Sequence, residues 1–194
     1  MADRALRRVE DPRVLPDPAT SRAVLIGSDE YRDLTPLPAV ANNLRRLGEL
    51  LGSSELWGLP ARNCAVLRNP ASPAAVLDLI HRAAVEASDT LVVYYAGHGL
   101  VDPHTDDLYL ALPESGVSRL YSAIRFDDLR REMVAVSAAA SKVVILDCCY
   151  SGRAMAGGMS GSMEMADQAR IEGTYLMTAS ADTCLLYTSD AADD

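Results

Sequence analysis

An α/β fold with a mostly parallel central sheet and helices on both faces is what the sequence predicts, and three observations carry that expectation. Strand-like and helix-like segments alternate in a β-α-β-α-β order. Two strand-like runs, TLVVYYA (90–96) and KVVIL (142–146), are apolar without alternation, the pattern of strands covered on both faces. The intervening segments carry apolar residues at helical spacing, and parallel neighbours require such crossovers.

The elements follow in order. Residues 22–28 (RAVLIGS) read as a first strand. Residues 40–51 place Val40, Leu44, Leu47 and Leu51 on one helical face. A short strand over 64–68 leads to Ser72-Pro73, a helix cap with proline in the first turn, and Val76, Leu77, Ile80 and Ala84 then form the helix face. The run 90–96 is the first central strand and ends in Gly97-His98-Gly99. An acidic loop at 102–107 (DPHTDD) precedes a short hairpin strand at 108–112, a helix is expected over 126–136, and the second central strand, 142–146, stops at Asp147. Residues 153–170 are rich in Gly, Ser and Met and read as a flexible linker, followed by a strand over 174–178. The charged, Pro-containing leader 1–20 is expected to be disordered.

With 194 residues and 49% hydrophobic content, the chain has material for one core. Its net charge of −9 argues against a nucleic-acid or anionic-membrane surface, both of which need clustered cations. Basic or neutral partners and a monomer are expected. All but Lys142 of the 18 cations are arginine, which together with the many alanines suggests a GC-rich bacterial source. No apolar window reaches membrane-helix length, and the first 20 residues lack the apolar core of a signal peptide, so a cytoplasmic location is expected. Cys64, Cys148, Cys149 and Cys184 form no C-x-x-C pair and no spacing with the three histidines that suits zinc.

The chemistry-bearing residues collect where such sheets place their crevice, beyond the carboxyl ends of the strands. GHG (97–99) leaves one central strand and DCCYSG (147–152) leaves the other. On adjacent strands a histidine and a cysteine face each other across roughly 5 Å. An imidazole at that distance stabilises a thiolate and later protonates a leaving group. Gly99 allows close approach of substrate, and its N–H together with that of the cysteine could hold a developing oxyanion. A glycine-rich nucleotide loop after the first strand is missing, since IGSDEYRD stands there.

YYAGHG followed about fifty residues later by DCCYSG resembles the caspase and metacaspase clan of cysteine peptidases, bacterial branch. The resemblance implies a caspase-like three-layer sandwich over residues 21–183 and hydrolysis of peptide bonds through a thioester. It matches His98 to the family's histidine and Cys149, third in D-x-C-x-S-G, to its nucleophile. Cys148 takes the variable position, and as the next residue on an extended strand it points the other way. The implied division is a large-subunit region (21–152), a processing linker (153–172) with Arg153 and Arg170 as processing sites, and the start of a small-subunit region (173–184). Residues 185–194 read as a foreign tail, so an inactive truncated fragment or a silent interaction module is the alternative to an active enzyme. In metacaspase-like members the residue matching Asp147 lines a pocket for Arg or Lys, while the second pocket acid is matched by Asn43, an amide. No cofactor is expected. Calcium at Asp102, Asp106 and Asp107 is the alternative to a merely solvated turn around His104.

Overall fold

The computed structural model of the protein describes residues 15–150 and 174–178, with residues 149, 150, 174–176 and 178 described by backbone alone. The leader residues 1–14, the tail 185–194, Cys184 and the linker with Arg153 and Arg170 lie outside the described residues.

The element order is β1 (Arg22–Gly27), α1 (Ala39–Gly52), β2 (Cys64–Arg68), α2 (Pro73–Glu86), β3 (Thr90–Val101), β4 (Leu108–Leu110), β5 (Ile124–Arg125), α3 (Phe126–Ala135), β6 (Ser141–Tyr150) and β7 (Thr174–Thr178). Strands β2, β1, β3, β6 and β7 lie side by side, all parallel. Past the end of β1, β4 pairs antiparallel with the last residues of β3, and β5 pairs antiparallel with β4. The sheet is therefore mixed, with parallel pairing in its centre.

Handedness explains where the helices go. The step from β1 to β2 moves one way across the sheet, whereas β2 to β3 and β3 to β6 move the other way. Right-handed crossovers in opposite directions put their helices on opposite faces. Val24, Ile26, Val93, Tyr95, Val144 and Leu146 accordingly pack in one cluster with Val76 and Ile80 of α2 and Leu129 and Met133 of α3. The alternate positions Leu25, Tyr94 and Ala96 pack with Val40 and Leu44 of α1. The reversal of direction falls between β1 and β3, and the crevice of such a sheet opens there.

The ends of the two central strands differ from the sequence reading. β3 continues through Gly97-His98-Gly99 to Val101, and β6 continues through Asp147 to Tyr150. Weak strand propensity at the glycines is overridden because both strands find partners: Gly97 to Gly99 pair with Cys148 to Tyr150, and Gly99 to Val101 also with β4. The two-residue β5 is too short for any periodic signal. Residues 15–20, part of the leader expected to be disordered, are seated on the domain. Trp57 Nε1 donates to the Pro16 carbonyl at 2.7 Å, Asn63 Nδ2 to the Pro18 carbonyl at 2.9 Å and the Asp17 N–H to Asp89 Oδ2 at 3.3 Å. No helix among the described residues is long and apolar enough to cross a membrane.

Gly27 shows how closely α1 rests on the sheet. A Cβ there would stand 2.6 Å from both Val40 Cγ1 and Leu44 Cδ1. Gly27→Ala is expected to destabilise the fold by about 1–3 kcal/mol, the range for overpacking. A chemical-denaturation midpoint equal to that of the parent would show that α1 lies farther from β1.

Candidate active site

The paired strands β3 and β6 set the frame. Their ladder runs from Thr90 opposite Ser141 to Gly99 opposite Tyr150, which puts Ala96 opposite Asp147 and His98 opposite Cys149. Side chains alternate along a strand. Val144, Leu146 and Cys148 belong to the cluster under α2 and α3, and Cys148 is buried there. By that alternation Asp147 belongs to the α1 face, as do Tyr94 and His98. Cys148 therefore lies on the face away from His98. Gly99, the other residue assigned to an oxyanion hole, is buried inside the sheet and pairs with both Leu110 and Tyr150.

His98 is held from several sides by groups the sequence did not single out. Its backbone N–H donates to Tyr31 Oη at 3.1 Å, and the Tyr31 hydroxyl donates to the Ser28 carbonyl at 2.7 Å. Its carbonyl accepts from the Ala111 N–H at 2.9 Å and lies 3.0 Å from Tyr95 Oη. Its ring stands 4.9 Å from the Tyr31 ring, tilted by 53°. Burial pushes the Tyr31 phenol up, and that of the fully buried Tyr95 well up, so both remain neutral hydroxyls.

The ring nitrogen Nε2 lies 2.8 Å from the Thr35 carbonyl. A carbonyl only accepts, so Nε2 carries the hydrogen. In the neutral ring this leaves the lone pair on Nδ1, which is the atom free to take a proton. Gly97 makes the arrangement possible, because a Cβ there would fall on the Tyr95 hydroxyl and within 2.7 Å of the Tyr31 hydroxyl.

Tyr31 and Thr35 both sit on the loop between β1 and α1, and that loop is fixed at its base. Arg68, the last residue of β2, reaches Asp29 with Nε at 2.9 Å and NH2 at 2.6 Å, a two-pronged pair on a buried carboxylate. Asn69 follows with φ of 50° and accepts the Asp29 N–H on its side-chain oxygen at 3.0 Å. The Asp29 carbonyl accepts from Leu37 at 2.9 Å, closing the loop on itself. On the other side Arg119 pairs with Asp33 at 2.5 Å and the Arg32 N–H donates to the Pro113 carbonyl at 2.9 Å.

Asp147 meets Asn43 as the resemblance implied. Asp147 Oδ2 accepts from the Tyr94 hydroxyl at 2.9 Å and from Asn43 Nδ2 at 3.4 Å. Burial, followed by the neighbouring Asp147 carboxylate, raises the Tyr94 phenol, which stays protonated and donates. Asp147 Oδ1 has no hydrogen-bond partner among the described residues, so one carboxylate oxygen remains open on the α1 face.

The other candidates are accounted for locally. The acidic loop spends its carboxylates on itself: Asp102 Oδ1 accepts from the His104 N–H, and Asp107 Oδ2 accepts from the Thr105 hydroxyl and pairs with Arg125 at 3.0 Å. Among the described residues no group of three or more His, Cys, Asp or Glu side chains is arranged to hold a metal ion. His81 lies 2.9 Å from Glu132 of α3, a contact between helices that the sequence does not encode locally. Cys64 is a partly buried thiol pushed up by burial.

A family model described as the caspase domain matches residues 20–192, nearly the whole chain. No curated protein matches it.

The Arg68–Asp29 pair gives a pH test. The Arg68 guanidinium, as the largest influence, holds the Asp29 carboxyl below its usual value of 3.8. A carboxyl depressed in the folded state contributes stability above its unfolded value, lost as pH falls through the folded one. The melting-temperature advantage of the parent over Arg68→Ala is therefore expected to be full near pH 6 and to shrink below about pH 3.8. A difference that stays constant from pH 6 to pH 2.5 would show that the pair does not couple to protonation of Asp29.

Proposed function

Because the chain belongs to the caspase family of cysteine peptidases, we propose that it cleaves peptide bonds with Cys149 as nucleophile and His98 as general base and acid. The observation that carries this reading is the register of β3 and β6, which sets His98 opposite Cys149 on neighbouring strands. The hydrogen bond from Nε2 to the Thr35 carbonyl supports it, since it leaves Nδ1 as the proton acceptor.

In this mechanism Nδ1 of His98 takes the thiol proton, and the thiolate attacks the carbonyl carbon of the scissile bond. Negative charge develops on the carbonyl oxygen, for which the backbone N–H of Cys149 is the proposed donor; Gly99, expected to share that role, is instead buried between β4 and β6 and paired with both. The carbonyl of Thr35 steadies the imidazolium through Nε2–H. The imidazolium then gives its proton to the leaving amine, the C–N bond breaks and a thioester remains. Water, deprotonated by the now neutral His98, attacks the thioester and releases the carboxylic acid and the thiol.

Specificity for a basic residue before the scissile bond is proposed from Asp147. A carboxylate with one open oxygen, fixed by Tyr94, offers a charged acceptor to a guanidinium or ammonium group. Asn43 adds a polar neighbour without adding charge, so the preference is weaker than two carboxylates would give. The same preference makes Arg153 and Arg170 the proposed self-processing positions.

Turnover of peptides ending in Arg, Lys or Asp before a reporter group tests the proposal. Cys149→Ala is expected to abolish turnover, His98→Ala to lower it by about 10²–10⁴-fold, and Cys148→Ala to leave most of it. Asp147→Asn is expected to reduce kcat/KM for the Arg peptide by at least about tenfold, the scale of a lost charged hydrogen bond. Turnover that survives Cys149→Ala but not Cys148→Ala would reverse the assignment, and faster cleavage after Asp than after Arg would overturn the specificity. Absence of turnover in the parent chain would favour an interaction module.

A further inference from the structure

At the amino-terminal ends of β1 and β2, opposite the candidate active site, lies a cleft of about 210 Å³ walled by Ala23, Ala65, Leu79 and Ala83. Three arginines line it: Arg22 at the start of β1, Arg62 in the 3-10 turn before β2 and Arg82 on α2. Their charges are not equally spent. Arg22 is half-buried, pairs with Glu86 at 3.0 Å and donates to the Ser21 carbonyl at 2.8 Å. Arg62 and Arg82 are exposed, and neither has an ion-pair or hydrogen-bond partner among the described residues. Arg82 even has carboxylates four residues away on either side, Asp78 and Glu86, without pairing with them. The turn carrying Arg62 is rigidly placed, because the buried Asn63 side chain is tied to the Pro18 and Ala19 carbonyls.

We infer that this cleft binds a small phosphomonoester, with Arg62 and Arg82 holding the phosphate and the Ala65–Leu79–Ala83 wall taking the attached apolar group. Two uncompensated guanidinium groups match a group that carries about two negative charges near neutral pH. Their forked N–H donors suit tetrahedral oxygens. The carboxyl end of α2 opposes an anion here, but with only roughly half a charge against two full cations. In a chain with a net charge of −9, two unpaired cations beside one apolar wall are a local exception that general solubility does not require. The site is independent of the peptidase reading.

Titration calorimetry tests it on the full chain carrying Cys149→Ala, which excludes self-cleavage, at constant ionic strength in chloride. The probes are phenyl phosphate, inorganic phosphate and benzoate. Saturable binding is expected in the order phenyl phosphate, then inorganic phosphate, then benzoate. Arg62→Gln and Arg82→Gln should each weaken phenyl phosphate by about tenfold or more, the scale of a charged hydrogen bond. Circular dichroism checks that the variants, altered only at exposed positions, keep the parent fold. Unchanged affinity in the double variant, or the absence of saturable binding by the parent, would overturn the site. Benzoate binding as tightly as phenyl phosphate would overturn the dianion, and inorganic phosphate matching phenyl phosphate would overturn the apolar subsite.

Discussion

The parallel ladder between β3 and β6 is the constraint on which the site depends. It joins the longest strands of the sheet over ten residue pairs, and Leu91, Val93, Tyr95, Val144 and Leu146 within it are almost wholly buried. Each such side chain contributes on the order of 1.5–3 kcal/mol by leaving water. A slip of one residue would turn the buried set of the slipped strand to the opposite face. The cost of that slip fixes the register, and the register places Cys148 in the apolar core beneath α2 and α3, on the face away from His98 and Asp147. Burial far from the site thereby keeps Cys148 away from the histidine.

The second requirement is orientation of the imidazole, and it is met by backbone and phenol groups. The Thr35 carbonyl selects the tautomer, Tyr31 holds the backbone N–H, and the Ala111 N–H holds the carbonyl. A neutral carbonyl brings no charge to the ring, so what His98 gains from Thr35 is a fixed direction. That arrangement transfers the demand for precision to the β1–α1 loop. Arg68, Asn69 and Arg119 clamp this loop from two sides, and the two-pronged Arg68–Asp29 pair stands closest to its root. Its contribution to function is positional, through Tyr31 and Thr35.

Much of this was legible in the sequence, unevenly and for physical reasons. The spans of β1, α1, β2, α2 and β7 followed from periodicity and from the Ser72-Pro73 cap to within a residue or two, because those signals are local. The ends of β3 and β6 did not follow, because Gly97 and Gly99 in β3 and Asp147 in β6 read as strand ends until the partner strand is known. Asn43 and Asp147 were legible through family resemblance and do meet in space. Tyr31, Thr35, Asp29 and Arg68 carried no signal: their contacts join residues 39 to 67 positions apart and leave no periodic imprint. Residues 15–20 carried no signal either, since nothing in their composition marks the carbonyls of Pro16 and Pro18 that Trp57 and Asn63 hold.

Under the proposed mechanism His98 activates the thiol of Cys149. It is tested most directly by the pH dependence of iodoacetamide alkylation at Cys149, located by peptide mass spectrometry, in the parent chain and in His98→Ala. The account predicts that the parent thiol reacts well below the ordinary thiol range near about 8.5 and that His98→Ala returns it to that range, with Cys148 slow in both. Identical profiles at Cys149 in the two proteins, or faster alkylation at Cys148, would contradict it.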